Sequence, residues 1–247
     1  MRRLTLLTLG ALAATSAVAT AQAPSADEIM SRYVQALGGE GAIRAQTARQ
    51  GTGQISVPAQ GITGDLEIYQ VAPNKILMRA TIPGIGQSVG AYDGEHGWSL
   101  NPAMGPMLLE GRMLDQMRQQ AEFYSPLTTG KFVVSRETVG QEEFDGKQTY
   151  RVKVVTKWDE EYFEFYDVET GLMVGVIRNS ATPMGEIEST TVLSDYRDVG
   201  GVMIPHKVTQ SMMGMQQIFT TELTPVGSVP DSVFAPPPQI QALIEQQ

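Results

Sequence analysis

The sequence predicts a mainly β fold with some α: a curved antiparallel sheet of roughly ten strands, with helices laid across its concave face. Turn signals recur at short intervals, and runs rich in Val, Ile, Thr, Phe and Tyr lie between Asp93-Gly94, Asp145-Gly146 and Gly200-Gly201. This spacing is typical of sequential hairpins rather than of βαβ units. Several runs alternate apolar with polar residues, which is the pattern of half-buried strands. In the run from Leu172 to Ile177, the residues that point to either face of the strand are apolar, so both faces of that strand must be buried.

The first 21 residues are expected to be a secretory signal peptide. Arg2 and Arg3 precede an apolar stretch, and small residues follow it, as in cleaved export signals. We expect cleavage after Ala21, because at the alternative site the next residue, Pro24, would restrict the backbone that the peptidase holds extended. Removing two arginines and no acid changes the formal charge from −9 to −11. The remainder is expected to be a soluble, acidic protein of the periplasm.

Two helices are predicted in the exported part. Ser25 and Glu28 have the spacing of a capping box, and an apolar stripe follows them until Gly38-Gly39. A second helix is expected within Glu110 to Tyr124, on the stripe formed by Met113, Leu114, Met117, Ala121 and Phe123. No linker divides the chain, so residues 22–238 are predicted as one domain. Residues 239–247, after a run of three prolines, are predicted as a C-terminal tail or a short terminal helix.

Composition excludes several classes of function. The chain has 18 basic and 27 acidic residues, so it lacks the cationic surface that binds phosphates, and no nucleic-acid partner is expected. It has no cysteine and only two histidines, His96 and His206, which leaves neither a thiolate metal site nor a Cys nucleophile. We expect no cofactor and no metal. Acidic runs beside turns, such as Asp159-Glu160-Glu161, are interpreted as solvated rims.

An enzyme is the least favoured class. Gly86 to Gly90 match the G-x-S-x-G pattern around Ser88, with Asp93 and His96 following. That motif needs a turn between a parallel strand and a helix, whereas here it leads into a further strand and a hairpin. Methionine is the second anomaly, with 13 residues in the chain, eight of which lie in two clusters, at positions 104–117 and 203–215. Soft thioethers could hold Cu(I), but core packing or an adaptable apolar surface explains them better.

Segments along the whole exported chain resemble the periplasmic lipoprotein carrier family LolA. These are Ala72-Pro73-Asn74-Lys75, then Tyr92-Asp93-Gly94, then Trp98-Ser99-Leu100-Asn101-Pro102, and finally Pro230 to Pro237 with Phe234. The resemblance implies an incomplete antiparallel barrel, or half-barrel, with a helical lid over a cavity for acyl chains. The carriers have an arginine immediately before the first of these prolines, which holds their lid closed. Here that position is Ala72, so this latch is not carried over.

The favoured hypothesis is therefore a monomeric periplasmic protein, not an enzyme, that binds a lipid or lipoprotein acyl chain and makes only transient membrane contact. It would act in outer-membrane lipoprotein sorting or lipid transport. An envelope sensor or interaction module of the same fold, docking on a protein partner, is the alternative. The predicted cavity walls are Leu66, Ile68, Met78, Trp98, Phe163 and Phe165 from strands, and Met113 and Met117 from the lid helix. The period of two does not say which sheet face is concave.

Overall fold

The computed structural model describes residues 23–246, and the predicted signal peptide lies outside them. Thirteen strands form one antiparallel sheet in the order β6-β5-β4-β3-β2-β1-β13-β12-β11-β10-β9-β8-β7. The first and last strands of the chain pair at its centre, so the sheet is two meanders joined along β1 and β13. The strands are β1 Ala48–Val57, β2 Ile62–Val71, β3 Lys75–Ile82, β4 Gly86–Tyr92, β5 Gly97–Asn101, β6 Gly105–Leu108, β7 Val133–Phe144, β8 Lys147–Thr156, β9 Glu161–Asp167, β10 Met173–Thr182, β11 Gly185–Val199, β12 Val202–Met212 and β13 Met215–Pro225.

Among residues 23–246, four α-helices accompany the sheet: α1 Ala26–Ala36, α2 Gly39–Ala45, α3 Gly111–Ala121 and α4 Pro238–Ile244. The Ser25 hydroxyl accepts the Glu28 backbone N–H, and the Glu28 carboxylate accepts the Ser25 backbone N–H. The predicted capping box is thus confirmed, and it satisfies N–H groups that would otherwise have no partner. Gly38 ends this helix at φ 114° and begins the next, α2, which the sequence did not predict. A Cβ at Gly38 would overlap the Gly201 carbonyl oxygen, so glycine is required there.

The two faces of the sheet carry separate apolar clusters. On the inner face, residues of α1 and α2 pack against β8, β9 and β12, with Tyr33 edge-to-face on Tyr166 at 5.4 Å between ring centroids. On the outer face, Ile240 of α4 and the preceding Phe234 pack against Leu77, Ala91 and Trp98 of β3 to β5. Ile240 is fully buried, so the chain after the prolines packs on the sheet as a short terminal helix.

The predicted fold class is confirmed: a mainly β protein whose single sheet does not close into a barrel. The sheet has three strands more than the roughly ten expected. One reason is that β6 has only four residues, too few to show a clear period of two. The predicted helix in Glu110 to Tyr124 is present as α3 over Gly111–Ala121.

Candidate functional site

Helix α3 lies on the inner face and contacts both halves of the curved sheet. Its apolar edge, Leu114, Met117 and Ala121, packs against Ile76 and Tyr92 of β3 and β4. Residues at i, i+3 and i+7 lie on one side of a helix, so the sequence pattern accounts for this edge. Met117 also reaches Gly90, where its Cε lies 4.0 Å from the position that a Cβ would occupy.

The opposite edge of α3 is polar and faces β9 and β10. Gln116 Nε2 donates to Glu160 Oε1 at 2.9 Å and to the Asn179 carbonyl oxygen at 2.8 Å, and its Oε1 accepts the Ala181 N–H at 2.9 Å. One turn later, Gln119 Nε2 donates to the Tyr162 hydroxyl at 3.0 Å. The two edges therefore hold α3 by different forces, apolar packing on one side and hydrogen bonds on the other.

The polar edge ends in a buried ion pair. Arg178 donates from Nε and Nη2 to the two carboxylate oxygens of Glu160, at 3.0 and 2.7 Å, and Trp158 Nε1 donates to the same carboxylate at 2.9 Å. Arg178 Nη2 also reaches Gln119 Oε1 at 3.3 Å. The Glu160 side chain is 4% exposed, so its interpretation as part of a solvated rim was wrong. The acid is buried because the register of β9 and β10 brings an arginine beside it.

A second buried acid, Glu164, lies two residues along from Tyr162 on the same side of β9. Its carboxylate accepts hydrogen bonds from Tyr166 Oη at 2.7 Å and Tyr162 Oη at 3.3 Å, and Arg136 Nε lies 3.4 Å away. Burial and the charge of Glu164 raise the pKa of both tyrosines. Burial is the largest single influence on the pKa of Arg136 and acts to lower it, but Glu164 together with Tyr166 and Tyr162 outweighs burial and the pKa rises. This corner of the inner face is thus a fixed ion pair with neutral phenol donors.

Arg49 of β1 is the exception among the described arginines, because its guanidinium has no hydrogen-bonding or ion-pair partner in the part of the chain that the structure describes. Its Cζ lies 4.3 Å from the Phe123 ring centroid, and its Nε is buried without a partner. Burial lowers the pKa of Arg49 to about 10. The arginine remains charged at neutral pH, held by the ring face alone.

Five of the eight predicted cavity residues lie on α3 or on the inner face of the sheet, and the other three lie on the outer face. Ile68, Met78 and Gly90 are successive register partners across β2 to β4, so Ile68 and Met78 share the inner face with Met117. Leu66 lies two residues before Ile68 and shares that face. Met113 is half-buried, one turn before Met117.

Trp98, Phe163 and Phe165 lie on the outer face. Trp98 pairs with Ala91 in the cluster beneath α4. Phe165 is fully buried and stacks on Phe144 at 4.2 Å between ring centroids. Phe163 lies under the Arg151 guanidinium, 3.7 Å from its ring centroid. Because the outer face of β9 is also packed, hydrophobicity alone gave no sign of which parity faced inward.

The sequence interpretation missed the polar residues of the inner face: Arg49, Gln116, Gln119, Arg136, Glu160, Glu164 and Arg178. One signal was present, since Tyr162, Glu164 and Tyr166 share a parity and therefore a face. The arginines come from other strands, and their pairing depends on the strand order. A pattern along one segment does not reveal such contacts.

The weaker motifs find no support as sites. Ser88 lies within β4, a strand of an antiparallel sheet, and accepts a hydrogen bond from Asn101 Nδ2 at 3.3 Å. Asp93 Oδ1 instead caps its own hairpin by accepting the Glu95 and His96 backbone N–H groups. Between residues 23 and 246, no group of three or more His, Cys, Asp or Glu side chains is arranged to hold a metal ion.

Comparison with solved structures identifies the fold. A LolA superfamily protein from Nitrosomonas europaea matches with a TM-score of 0.57 at 14% identity, over 87% of this chain and 99% of that one. A DUF1329 family protein from Desulfovibrio piger matches with 0.58 at 11% identity, over 85% and 96%. A putative outer membrane lipoprotein-sorting protein domain from Vibrio parahaemolyticus matches with 0.52 at 14% identity, over 85% and 94%.

These likenesses confirm the LolA-like fold that the sequence motifs predicted. No family model and no curated protein sequence matches the chain. The described helices include none that is long and apolar enough to cross a bilayer.

Proposed function

We propose that this protein binds a lipid or a lipoprotein acyl chain between the inner face of its sheet and helix α3, in the periplasm. The observation that carries the proposal is the divided contact of α3. An apolar edge covers Ile76 and Tyr92, while a polar edge hydrogen-bonds to β9 and β10. A helix held on one side by hydrogen bonds can exchange those bonds for bonds to water when it moves, so α3 has the character of a lid.

The magnitudes favour such an exchange. Five hydrogen bonds join the side chains of Gln116 and Gln119 to β9, β10 and Glu160. The three neutral bonds contribute roughly 0.5–1.5 kcal/mol net each, and the two with a charged partner, Glu160 or Arg178, about 1.5–3 kcal/mol each. Burying an acyl chain contributes about 0.8 kcal/mol per methylene. A chain of roughly fourteen methylenes therefore offsets the loss of all five bonds and leaves a surplus. The LolA-like fold supports the same interpretation.

The test links α3 covalently to the sheet and measures whether the protein still takes up a lipid probe. The chain has no cysteine, so Gln116→Cys with Ser180→Cys introduces the only thiols. Gln116 of α3 hydrogen-bonds the backbone on both sides of Ser180, and Ser180 shares the inner face of β10 with Arg178. A short, cleavable bis-maleimide would link α3 to β10. The probe is cis-parinaric acid, whose fluorescence rises in an apolar site. The single-cysteine variants, treated with the same reagent, are the controls.

We expect the unlinked protein to bind the probe, the linked protein to lose binding, and cleavage of the linker to restore it. Equal binding by linked and unlinked protein would show that α3 is not the lid. No probe binding by the unmodified protein, together with no lipid in native mass spectrometry of the purified chain, would refute lipid binding. The sensor hypothesis would gain if affinity capture from a periplasmic extract then returned one stoichiometric protein partner.

A further inference from the structure

The two ends of the sheet differ sharply in the chemistry of their turns. In an antiparallel sheet successive turns alternate between the two ends. Six turns therefore lie at the end where β1 finishes, and five of them consist entirely of uncharged residues. We call these five the apolar end. They are residues 58–61, 83–85, 102–104, 183–184 and 213–214.

The apolar end is contiguous. Its turns join β1 to β2, β3 to β4, β5 to β6, β10 to β11 and β12 to β13, and these ten strands are neighbours in the sheet order from β6 to β10. The sixth turn, residues 157–160, lies beyond them and is charged. The opposite end of the sheet carries four acidic turn residues: Asp93, Glu95, Asp145 and Glu169.

Large apolar side chains project into water at the apolar end. The exposed fractions are 52% for Ile85, 57% for Met104, 84% for Met184, 73% for Met213 and 46% for Met215. Five of the seven large hydrophobic residues that are exposed in the described chain are therefore in or directly beside these turns. Single exposed apolar residues are ordinary on protein surfaces, whereas a grouped set marks an interaction site.

We propose that the apolar end docks on the surface of a phospholipid bilayer, inserting its methionine and isoleucine tips among the lipid headgroups. Neighbouring strands are about 4.8 Å apart, so successive turns at one end are spaced roughly 10 Å apart. A fluid headgroup layer adapts to separated tips, whereas a folded protein partner would need a matching pocket for each.

The charge distribution is complementary to the same partner. None of the residues in the five turns is charged, so insertion desolvates no charge. Glu186, which follows the turn at 183–184, is neutralised by Arg112, whose Nε lies 3.6 Å from its carboxylate. The acids at the opposite end remain far from the lipid. An acidic protein docked by this end would favour a neutral bilayer over an anionic one.

The contact would be reversible. Membrane binding scales with buried apolar area, and a few side-chain tips bury less than one acyl chain. The docking does not depend on lipid uptake beneath α3, so the two proposals can fail separately.

The experiment measures partition of the full exported chain onto phosphatidylcholine vesicles by flotation, at low and high salt. We expect binding that does not fall with salt, because no charge takes part. The variant Ile85→Ser, Met104→Ser, Met184→Ser and Met213→Ser is expected to reduce the partition constant by about tenfold or more. Met184→Ser is also tested as a single change, with Val139→Ser as its matched control. Val139 is 46% exposed within edge strand β7, and its replacement should leave partition unchanged.

A second measurement guards against misfolding of the fourfold variant. An environment-sensitive dye on Met184→Cys should shift to the blue when vesicles are added, and the same dye on Asp145→Cys, at the opposite end, should not. Failure of the unmodified protein to float would overturn the proposal. So would equal partition by the fourfold variant, binding lost in high salt, or equal shifts from both dyes. If vesicles do not bind but the fourfold change abolishes a complex with a protein, the partner is that protein and the lipid proposal is wrong.

Discussion

Replacing Gln116 by alanine tests whether the polar edge holds α3 against the sheet. The change removes three hydrogen bonds, one of them to the buried carboxylate of Glu160. The bond to the carboxylate is worth about 1.5–3 kcal/mol and each neutral one roughly 0.5–1.5 kcal/mol. Against this loss, alanine avoids the cost of fixing the Gln116 side chain in one rotamer, which is roughly 1.5 kcal/mol. The net loss is therefore about 3 kcal/mol, and the open population rises roughly 100-fold.

Amide hydrogen exchange of Gly111–Ala121 measures this opening residue by residue. Gln120→Ala is the matched control, because Gln120 has the same chemistry on the same helix but is exposed and forms no hydrogen bond among the described residues. We expect the α3 amides to exchange about 100-fold faster in Gln116→Ala and to be nearly unchanged in Gln120→Ala.

Opening and global unfolding start from the same closed state, so both free energies fall by the same amount in Gln116→Ala. The mark of a separate lid is that the α3 amides stay less protected than those of the central strands, in wild type and variant alike. Two results would refute the reasoning. One is an equal rate of α3 amide exchange in Gln116→Ala and Gln120→Ala. The other is an opening free energy of the α3 amides equal to the free energy of global unfolding, which urea denaturation measures.

Three further predictions concern the scaffold. Ser25→Ala, which removes the capping box of α1, should lower the free energy of unfolding by about 1 kcal/mol, whereas Ser31→Ala, exposed in the same helix, should not. Arg136→Met should cost about 3–5 kcal/mol because it leaves a buried carboxylate without its cation, while Arg44→Met at an exposed pair should change the unfolding midpoint little. Burial acts to raise the pKa of Asp167, but hydrogen bonds from Lys147 and two backbone N–H groups outweigh it and lower the pKa. Its stabilising contribution is present above the unfolded value near 3.9 and is lost as pH falls through the folded pKa. The advantage of wild type over Asp167→Asn in thermal unfolding should therefore disappear in acid, and an advantage that persists or grows there would contradict this.

Sequence reasoning succeeded wherever the signal was local. The capping box at Ser25, the period of two in the strands and the amphipathic stripe of α3 are all set by residues within one or two turns of each other. Helix α2 was missed because Gly38 and Gly39 were interpreted only as a stop. Gly38 is in fact the boundary that α1 and α2 share.

The assignment of faces depended on structure that no single segment contains. Leu66 and Phe165 lie on strands with similar alternation, yet Leu66 lies on the inner face and Phe165 lies on the outer face, against Phe144. The buried charges pose the same problem. Glu160 sits in an acidic run that resembles a solvated rim, and only the neighbouring strand supplies Arg178.

The inner face is divided in the same way as α3, and this division constrains the ligand. On β2 and β3 it offers Ile68, Ile76 and Met78, while on β10 and in the turn before β9 it offers the buried pair of Arg178 and Glu160. A pure hydrocarbon bound between the inner face and a displaced α3 would leave the second half without the hydrogen bonds that Gln116 now provides, and an unpaired buried polar group costs about 1–3 kcal/mol. An amphiphile would satisfy both halves. We therefore expect palmitate to displace cis-parinaric acid and hexadecane to compete poorly, and equal competition by the two would show that the polar edge makes no contact with the ligand.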